Sequence, residues 1–386
     1  MVVIRGVSAK SILDSRREKT IQVSIKTNVG DFSASAPNGK SKGKHEKKSY
    51  KKDIEGDIKT LKSLGDYFSE ETIEKFKDLR RVEDIMEGHV GANTLFALES
   101  AVLKAMAKEQ GKQVWELVGK SQMKMPRLVG NCIGGGKHSN IKKKPDFQEF
   151  LLIPELKPIK DSIKKNKDAK KAVEMMLKYN NSKFKGEKND EDAWMTSLNE
   201  KEVLEVLKKI NLPLGVDIAA SGFFKRKIYH YKNPMLKRTS EEQIKYLTNL
   251  IENFNLFYIE DPFQENDFES FSKLLKKFPE RLIVGDDLTV TNHKLLLKAI
   301  EKKSINGIIV KPNQCGSLLE VKQVCETARE NGIKIIFSHR SGETNENILA
   351  DLAFGFKADF FKCGITGKER EAKLKRLVEI ERGLKD

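Results

Sequence analysis

The second half of the chain carries a series of short apolar runs, each followed directly by charged or polar side chains. Beyond the first interval they recur about every 25 residues, the length of one strand and one helix in a parallel barrel. The runs and the polar groups that follow them are 214–216 with Asp217, 256–259 with Glu260 and Asp261, 282–285 with Asp286 and Asp287, 307–310 with Lys311, 334–337 with Ser338 to Ser341, and 358–361 with Lys362. Because such barrels keep their active sites at the carboxyl ends of the strands, the pattern predicts an α/β barrel with these side chains at one mouth.

The first part of the chain has a different pattern. Residues 11–36 alternate polar and apolar positions and contain β-branched pairs, which predicts an antiparallel meander. From Asp53 to about Gly119 the period becomes helical, and the clearest helix begins at Gly91. The apolar residues on its inner face are Leu95, Leu98, Val102, Leu103 and Met106. We therefore expect a smaller α+β domain over residues 1–125 and the barrel domain over residues 126–386.

Two segments connect these regions. Residues 147–154 predict a strand that begins with the polar pair Gln148 and Glu149. Residues 155–190 are rich in lysine, and we expect an exposed, mobile segment there with one helical section over 169–179.

The net charge of +16 and the cysteine usage restrict the class of protein. The charge is explained either by attraction to nucleic acid or by a lysine-rich coat over a cytoplasmic enzyme. We favour the coat, because the lysines are spread along the chain and no basic segment is interleaved with stacking aromatic residues. Cys132, Cys315, Cys325 and Cys363 form no metal-type pair, which predicts free thiols in a reducing compartment. We expect neither a signal peptide nor a membrane span.

The acids at successive strand ends point to a bound metal. In a closed barrel the carboxylates of Asp217, Glu260 and Asp286 would meet, and a hard divalent cation resolves their repulsion. The alternative for each acid alone is a helix N-cap or a surface position. Three in succession, followed by a lysine and a His-Arg-Ser sequence, favour the metal site.

The basic residues that follow suggest proton transfer and anion binding. Lys311 lies at the end of a buried run near other cations, which would lower its pKa and suit it as a general base; the alternative is a lysine that extends to the surface. His339, Arg340 and Ser341 together suit a phosphate or carboxylate, and the alternative is a polar loop with a salt bridge to Glu343.

Several longer segments resemble the signature segments of the enolase family. They are 259–263 (Ile-Glu-Asp-Pro-Phe), 284–292 (Val-Gly-Asp-Asp-Leu-Thr-Val-Thr-Asn), 338–344 (Ser-His-Arg-Ser-Gly-Glu-Thr), 311–314 (Lys-Pro-Asn-Gln) and 148–150 (Gln-Glu-Phe). The resemblance extends from Asp14 to the helix before Glu381. It implies an α+β capping domain on a modified (β/α)8 barrel, and the reversible dehydration of 2-phosphoglycerate to phosphoenolpyruvate with two Mg²⁺ ions.

The resemblance also implies roles for individual residues. Asp217, Glu260 and Asp286 match the ligands of one magnesium ion, and Ser41 matches the residue that closes over the other. Lys311 matches the base that removes the carbon-bound proton, and Arg340 and Ser341 match the residues that hold the phosphate. Glu149, His138, Gln148, His339 and Lys362 match further pocket residues. The family forms dimers, so we expect a homodimer or a higher homo-oligomer.

The sequence departs from the family at the general acid and at the first loop. Enolases carry the acid in a Gly-Asp-Glu-Gly-Gly loop, whereas residues 189–193 here read Asn-Asp-Glu-Asp-Ala. Glu191 is assigned as the acid, with an acidic surface turn as the alternative, and a loop without its glycines is expected to take another path. Asn38, Lys40 and Lys42 stand where enolases usually have Ser, Ala and Thr, which predicts a more cationic lid.

Three functions follow from these observations. The first is a magnesium-dependent lyase of the enolase type. The second is an enzyme that removes an α-proton from a different phosphorylated carboxylic acid, as the altered loops suggest. The third is a non-catalytic protein of the same fold that binds RNA through its positive charge, and the retained ligands and base place it last.

Overall fold

A computed structural model describes residues 1–40, 43–68, 71–119, 124–155 and 158–384 of the 386-residue chain. It contains a small sheet with helices at the N-terminal end and a closed barrel in the remainder, as the sequence predicts. The boundary proposed at residues 125 and 126 falls between the last helix of the first part and the first barrel strand. No helix in the described ranges combines the length and the apolar character needed to cross a membrane.

The N-terminal sheet is antiparallel and has the strand order β3-β2-β1-β4. Its strands are β1 Val2–Leu13, β2 Lys19–Thr27, β3 Gly30–Ser35 and β4 Thr72–Ile73. The predicted meander is present, but β1 begins well before residue 11. Val2 and Ile4 at its start are buried, but the register shifts between Ile4 and Gly6, so the less exposed positions continue at Val7 and Ala9 and the alternation is broken.

The helices of this part of the chain are α1 Ile54–Ser63, α2 Leu79–Met86, α3 Ala92–Gln110 and α4 Val114–Val118. α1 and α3 pack against the strands of the sheet, whereas α2 and α4 pack against α3. The predicted apolar face of α3 is correct for Leu98, Val102, Leu103 and Met106, which are fully buried, and Leu95 is half-buried. The helix ends at Gly111, whose φ of 61° allows the left-handed cap that glycine favours.

The barrel closes because its last strand pairs with its first. Its strands are β5 Arg127–Gly134, β6 Glu149–Leu152, β8 Leu214–Asp217, β12 Tyr258–Glu260, β13 Leu282–Gly285, β14 Gly307–Val310, β15 Lys334–Ser338 and β16 Phe360–Gly364, with β7 Trp194–Met195 paired to β5 outside the ring. A separate hairpin sheet is formed by β9 Phe224–Lys225, β10 Ile228–Lys232 and β11 Met235–Arg238.

One barrel strand runs against the others. β6 is antiparallel to both β5 and β8, so Glu149 at its start lies opposite Asp217 at the end of β8. The reversal brings Gln148 and Glu149 to the mouth where the parallel strands end. Below that mouth, apolar side chains such as Val129, Leu151, Tyr258 and Ile309 fill the barrel interior.

Helices cover the outside of the barrel. They are α5 Ile159–Asn180, α6 Glu200–Leu207, α7 Ser240–Phe254, α8 Phe268–Lys277, α9 His293–Glu301, α11 Leu318–Glu330, α12 Ile348–Gly355 and α13 Lys368–Gly383. The short α10 Pro312–Cys315 lies instead at the mouth, where it packs against α3. The expectation of an exposed, mobile segment over 155–190 is wrong for α5. Ile159, Val173 and Leu177 are buried on its inner face, and the lysines that hid this stripe in the sequence lie mainly on its outer face.

Candidate active site

The strand-end acids Asp217 and Glu260 meet around a buried lysine. They end the adjacent strands β8 and β12 and lie opposite each other in the register. Lys362, in β16, places its Nζ 2.9 Å from Asp217 Oδ2 and 2.8 Å from both Glu260 oxygens, with Glu149 Oε2 at 3.2 Å. One ammonium group is thus shared by three carboxylates that come from three different strands.

The ionisation of these groups reflects the crowding of negative charge. Burial and repulsion from Asp217 raise the pKa of Glu260 well above its ordinary value. Burial also raises the pKa of Asp217, although Lys362 partly offsets the effect. Conversely, burial disfavours the charged form of Lys362, but Asp217, Glu149 and Glu260 outweigh it and raise its pKa. The site therefore holds more carboxylates than the lysine can neutralise.

Lys311 is paired with the third strand-end acid, Asp286. Its ammonium group donates to Asp286 Oδ2, and Gln314 Nε2 lies 3.2 Å from the other oxygen of that carboxylate. The expected lowering of the Lys311 pKa is wrong for this structure. Burial does favour the neutral amine, but the carboxylate of Asp286 outweighs both burial and the repulsion from Arg340, and the pKa of Lys311 is raised.

Two further acids, Asp261 and Asp287, lie at the same mouth, and the sequence had indicated no role for them. Asp261 accepts hydrogen bonds from the backbone amides of Asp286 at 2.9 Å and Asp287 at 2.7 Å. Asp261, Asp286 and Asp287 each place a carboxylate oxygen within 4.8 Å of the others. Burial and mutual repulsion raise the pKa of Asp261, and that of Asp287 to about 7. The signal that could have identified Asp261 and Asp287 is that each directly follows another acid in the sequence, Glu260 and Asp286 respectively.

Glu191 reaches the same cavity. Its Oε2 accepts a hydrogen bond from Asn131 Nδ2 at 2.9 Å and lies 3.7 Å from His339 Nε2, and its Oε1 lies 3.5 Å from His138 Nδ1. With 2% of its surface exposed, Glu191 does not belong to a surface turn. Burial opposes its charged form, but His138 and Arg370 outweigh burial and lower its pKa.

The two histidines beside Glu191 differ in charge. Burial would keep His138 neutral, but Glu191 and Glu149, the latter 3.3 Å away, raise its pKa to about 9. His339 is held neutral, because burial and the nearby Arg370 lower its pKa well below the ordinary value. A proton is therefore available on His138, next to Glu191.

The loop that carries Glu191 reaches the cavity without glycine. Asn189 Oδ1 accepts hydrogen bonds from the backbone amides of Glu191 at 3.0 Å and Ala193 at 2.9 Å. Asp192 takes a φ of 62°, a conformation that aspartate tolerates better than most residues. Its carboxylate is held by Lys170 at 3.0 Å and by the hydroxyl of Thr366. These polar contacts stabilise a turn for which the family resemblance led us to expect glycine.

The His-Arg-Ser sequence connects the barrel to the first loop of the chain. Arg340 Nη2 lies 3.1 Å from both oxygens of Glu46, and Ser341 Oγ accepts hydrogen bonds from Lys40 N at 2.8 Å and Arg16 Nη1 at 3.1 Å. The alternative of a salt bridge from Arg340 to Glu343 is wrong, since the Arg340 guanidinium pairs with Glu46, and Glu343 pairs with Lys373 at 2.7 Å and accepts a hydrogen bond from the backbone amide of Arg340 at 2.9 Å.

Sequence reasoning missed Glu46, which lies just beyond the glycine- and lysine-rich loop that follows β3. Gln148 and Asp217 are in contact, with Gln148 Nε2 3.4 Å from Asp217 Oδ2. Ser41 lies outside the described residues.

Among the described residues, the proposed site residues therefore line or border one cavity. Those on its wall are His138, Gln148, Glu149, Glu191, Asp217, Asp286, Lys311, His339, Arg340, Ser341 and Lys362. Glu260 lies directly behind it through its contact with Lys362. Carboxylate oxygens are the ligands that Mg²⁺ prefers, and the residues present fit a divalent cation. Burial and neighbouring acids raise the pKa values of Asp217 and Glu260. Burial acts in the same direction on Asp286, but its ion pair with Lys311 outweighs burial and lowers its pKa.

Comparison with known proteins agrees with this arrangement. Residues 4–118 match the family model of the enolase N-terminal domain, and residues 122–386 match that of the enolase C-terminal TIM barrel domain. The chain is 36% identical to the enolase of Pyrobaculum aerophilum over 388 residues, which cover 94% of this chain and 91% of the relative. It is 35% identical to the enolase of Methanosphaera stadtmanae over 407 residues, which cover 99% and 97%. The chain therefore belongs to the enolase family.

Proposed function

We propose that the protein is a lyase that catalyses the reversible dehydration of 2-phosphoglycerate to phosphoenolpyruvate. The observation that supports this most directly is the position of Lys311 and Glu191 on one buried cavity with the strand-end carboxylates. A base, an acid and a cation site within the same cavity are what the removal of an α-proton and a hydroxide requires.

The residues assigned to the metal are Asp217, Glu260 and Asp286, with Ser41 as the residue that would close over a second ion. When bound, two Mg²⁺ ions would supply the positive charge that stabilises the additional negative charge on the substrate carboxylate. Lys362 remains buried among Glu149, Asp217 and Glu260 and keeps their carboxylates oriented toward the cavity.

The chain's own groups carry the proton transfers. Lys311, as the free amine, would take the proton from the carbon next to the carboxylate and become an ammonium ion. The electron pair left on that carbon forms the double bond as hydroxide departs from the next carbon. Glu191, supplied with a proton through His138, would protonate the departing hydroxide to water. In the reverse direction Glu191 takes a proton from water as its oxygen adds to the substrate, and the ammonium group of Lys311 returns its proton to the carbon.

Other groups would orient the substrate and exclude water. Arg340 and Ser341 would bind its phosphate, with the phosphate replacing the Glu46 carboxylate at Arg340. Lys40, whose backbone amide donates to Ser341, closes the first loop over this end of the cavity. His339, Gln148 and Glu149 would complete the walls.

The direct test is incubation of purified protein with 2-phosphoglycerate and Mg²⁺ while the absorbance of the enol phosphate is followed. We expect turnover that is lost with a chelator and restored by Mg²⁺. Absence of turnover at any pH, in protein that is folded and binds Mg²⁺, would contradict the proposal. Deuterium exchange into a different phosphorylated acid, abolished by Lys311→Ala, would then identify the alternative substrate.

We also propose a homodimer or higher homo-oligomer in the cytoplasm, since this assembly and location are what the family resemblance implies. Sedimentation of the purified full-length protein tests the assembly. A single species with the mass of one chain over the working concentration range would contradict it.

A further inference from the structure

A second cavity lies beside the catalytic one. Its volume is about 750 Å³, and the two cavities share Gln148 and Ala219 on their walls. Its sides come from the segment between β5 and β6, the segment after β8, and strand β10 of the hairpin sheet. It therefore opens at the mouth of the barrel, next to the proposed site of reaction but separate from the strand-end acids.

The polar lining of this second cavity is dominated by positive charge. Its lysines are Lys137, Lys142, Lys143, Lys144, Lys225 and Lys232. Within the described part of the chain none of them forms an ion pair with a carboxylate, unlike the neighbouring Lys40 and Lys188. The acid in the lining, Asp146, already accepts hydrogen bonds from the backbone amides of Lys232 at 2.9 Å and Asn233 at 3.0 Å.

Like charges that face one cavity repel each other, and the effect is visible at Lys144. Its pKa is lowered by burial and by the positive charges of Lys232 and Lys40. A ligand with several negative charges would relieve this repulsion, and a larger number of lysines favours phosphate groups over a single carboxylate.

The remaining wall of the cavity is apolar. Phe223 and Phe224 follow β8 and are only half-buried, although the ring of Phe224 packs 4.7 Å from that of Tyr229. Ile218 and Ala219 extend the same surface toward Gln148. The ring of Phe223 likewise packs 4.9 Å from that of Tyr231. Half-buried phenylalanine rings beside lysines suit a flat organic ring attached to a charged chain.

We propose that this cavity binds a nucleoside triphosphate, with the phosphates among the lysines and the base against Phe223 and Phe224. The volume lies within the range of about 300–1,000 Å³ that small-molecule sites occupy. 2-Phosphoglycerate carries no ring and would leave the apolar wall uncovered. The lysines of this cavity also contribute to the net charge of +16, and the proposed catalytic mechanism gives them no role.

The test is calorimetric titration of the full-length protein with ATP, tripolyphosphate and adenosine, in a chelator so that no Mg²⁺ enters the catalytic site. We expect saturable binding of ATP, at least about tenfold weaker binding of tripolyphosphate, and no measurable binding of adenosine. The triple variant Lys142→Gln, Lys143→Gln, Lys225→Gln should bind ATP at least about tenfold more weakly. Phe224→Leu should weaken the binding of ATP but not that of tripolyphosphate.

Matched controls separate the site from general charge and from the catalytic cavity. Lys160→Gln, Lys165→Gln, Lys171→Gln removes the same charge from the exposed face of α5 and should leave ATP binding unchanged. Lys311→Ala should also leave it unchanged. Equal losses in the two triple variants, loss of ATP binding in Lys311→Ala, tripolyphosphate binding as tight as that of ATP, or no ATP binding at all would each overturn the proposal.

Discussion

At the scale of single residues, the site is defined by which amine pairs with which carboxylate. Lys362 is enclosed by Glu149, Asp217 and Glu260, whereas Lys311 contacts Asp286 alone among the strand-end acids. An amine shared by three carboxylates is strongly held in its charged form, because a proton lost from it would leave three buried negative charges. The proposed cation would engage Asp286, the one strand-end partner of Lys311, whereas Lys362 would still be paired with Glu149, which is not among the proposed ligands. This difference favours Lys311 over Lys362 as the base.

The first prediction tests this assignment. Lys311→Ala should lower turnover of 2-phosphoglycerate by about 10²–10⁴-fold, the usual contribution of a general base, and should abolish solvent exchange of the α-proton. Exchange is followed by NMR in deuterated buffer. The control is Lys298→Ala, since that lysine lies on α9 away from the cavity. Exchange that persists in Lys311→Ala at the original rate would exclude Lys311 as the base.

The second prediction concerns the turn that positions Glu191. Two lysines pair with the Asp192 carboxylate, and Lys170→Met removes the buried one and leaves the more exposed Lys188, so the turn would relax and Glu191 would shift. We expect kcat to fall by about 10²-fold with KM little changed, since a shift of about 1 Å in a catalytic group has that effect. Exchange of the α-proton should continue, because it depends on Lys311.

A second substitution distinguishes positioning from general loss of structure. Asp192→Gly in the Lys170→Met background should restore much of kcat, because glycine adopts positive φ without a supporting contact. Lys171→Met, on the exposed side of the same helix, serves as the control. A double variant as slow as Lys170→Met, with an unchanged circular dichroism spectrum, would show that the turn does not depend on this contact.

At the scale of elements, the strand-end acids and Lys311 are carried by the ends of barrel strands, whereas Glu191 and His138 lie in connecting segments. The apolar runs of the sequence identified β8 and β12 to β16 because each buried strand is a continuous apolar segment with a charged end. Glu191 and the residues of β6 were harder to place. The path of the Glu191 turn depends on Lys170 and Thr366, which are distant in sequence. The direction of β6 depends on its pairing partners.

The same reasoning explains what the sequence could not reveal. The charged face of α5 masked its buried stripe, because lysine, aspartate and glutamate together occupy most of the remaining positions. The pairing of Arg340 with Glu46 joins residues at opposite ends of the chain, and no local pattern predicts such a contact. The predicted lowering of the Lys311 pKa is wrong because it rested on neighbouring cations alone, whereas the carboxylate of Asp286 contacts the amine and raises its pKa.

The third prediction concerns α6, whose first residue is the buried Glu200. Tyr246 of α7 donates a hydrogen bond to its Oε1 at 3.0 Å. Burial raises the pKa of Glu200 to about 7 from an ordinary value of 4.5, and hydrogen bonding only partly opposes the shift. The folded protein therefore holds the proton more tightly than the unfolded chain does, so the stability from this group is complete below pH 4.5 and is lost as the pH rises through 7.

Glu200→Gln removes this dependence. Compared with the original protein, the variant should gain on the order of 2 kcal/mol in the free energy of unfolding at about pH 8, and much less at about pH 5. Urea denaturation at the two pH values measures the difference. Glu205→Gln, on the exposed face of the same helix, should show no such change. An equal gain at both pH values would contradict the assignment.

At the scale of the whole molecule, the N-terminal part forms one side of the barrel mouth. Asn38 and Gly342 exchange backbone hydrogen bonds at 2.7 and 2.8 Å, and Asn93 on α3 accepts a hydrogen bond from Asn313 at 2.9 Å. Leu318 N also donates to Glu99 Oε2 at 2.7 Å. These contacts couple the closure of the cavity to the packing of the two parts of the chain.

The fourth prediction is that Mg²⁺ stabilises the entire fold. A cation that binds the folded protein, and not the unfolded chain, adds about 2.7 kcal/mol at a concentration about 100 times its Kd. The melting temperature should therefore rise with added Mg²⁺ and fall when a chelator removes it, as followed by circular dichroism. Asp286→Asn should reduce this rise, whereas Asp168→Asn on the outer face of α5 should not. An equal rise in both variants would place the cation elsewhere.

The reversed strand β6 has a consequence for how this architecture can diversify. The chain leaves β5 and enters β6 at the same mouth, so residues 135–148 form a bridge with both ends fixed by strand pairing. Insertions or deletions in residues 135–148 would change the entrance to the catalytic cavity, while the paired strands of the barrel keep their register. Related proteins can therefore change which molecules enter the cavity through this segment without a change in the strands of the barrel.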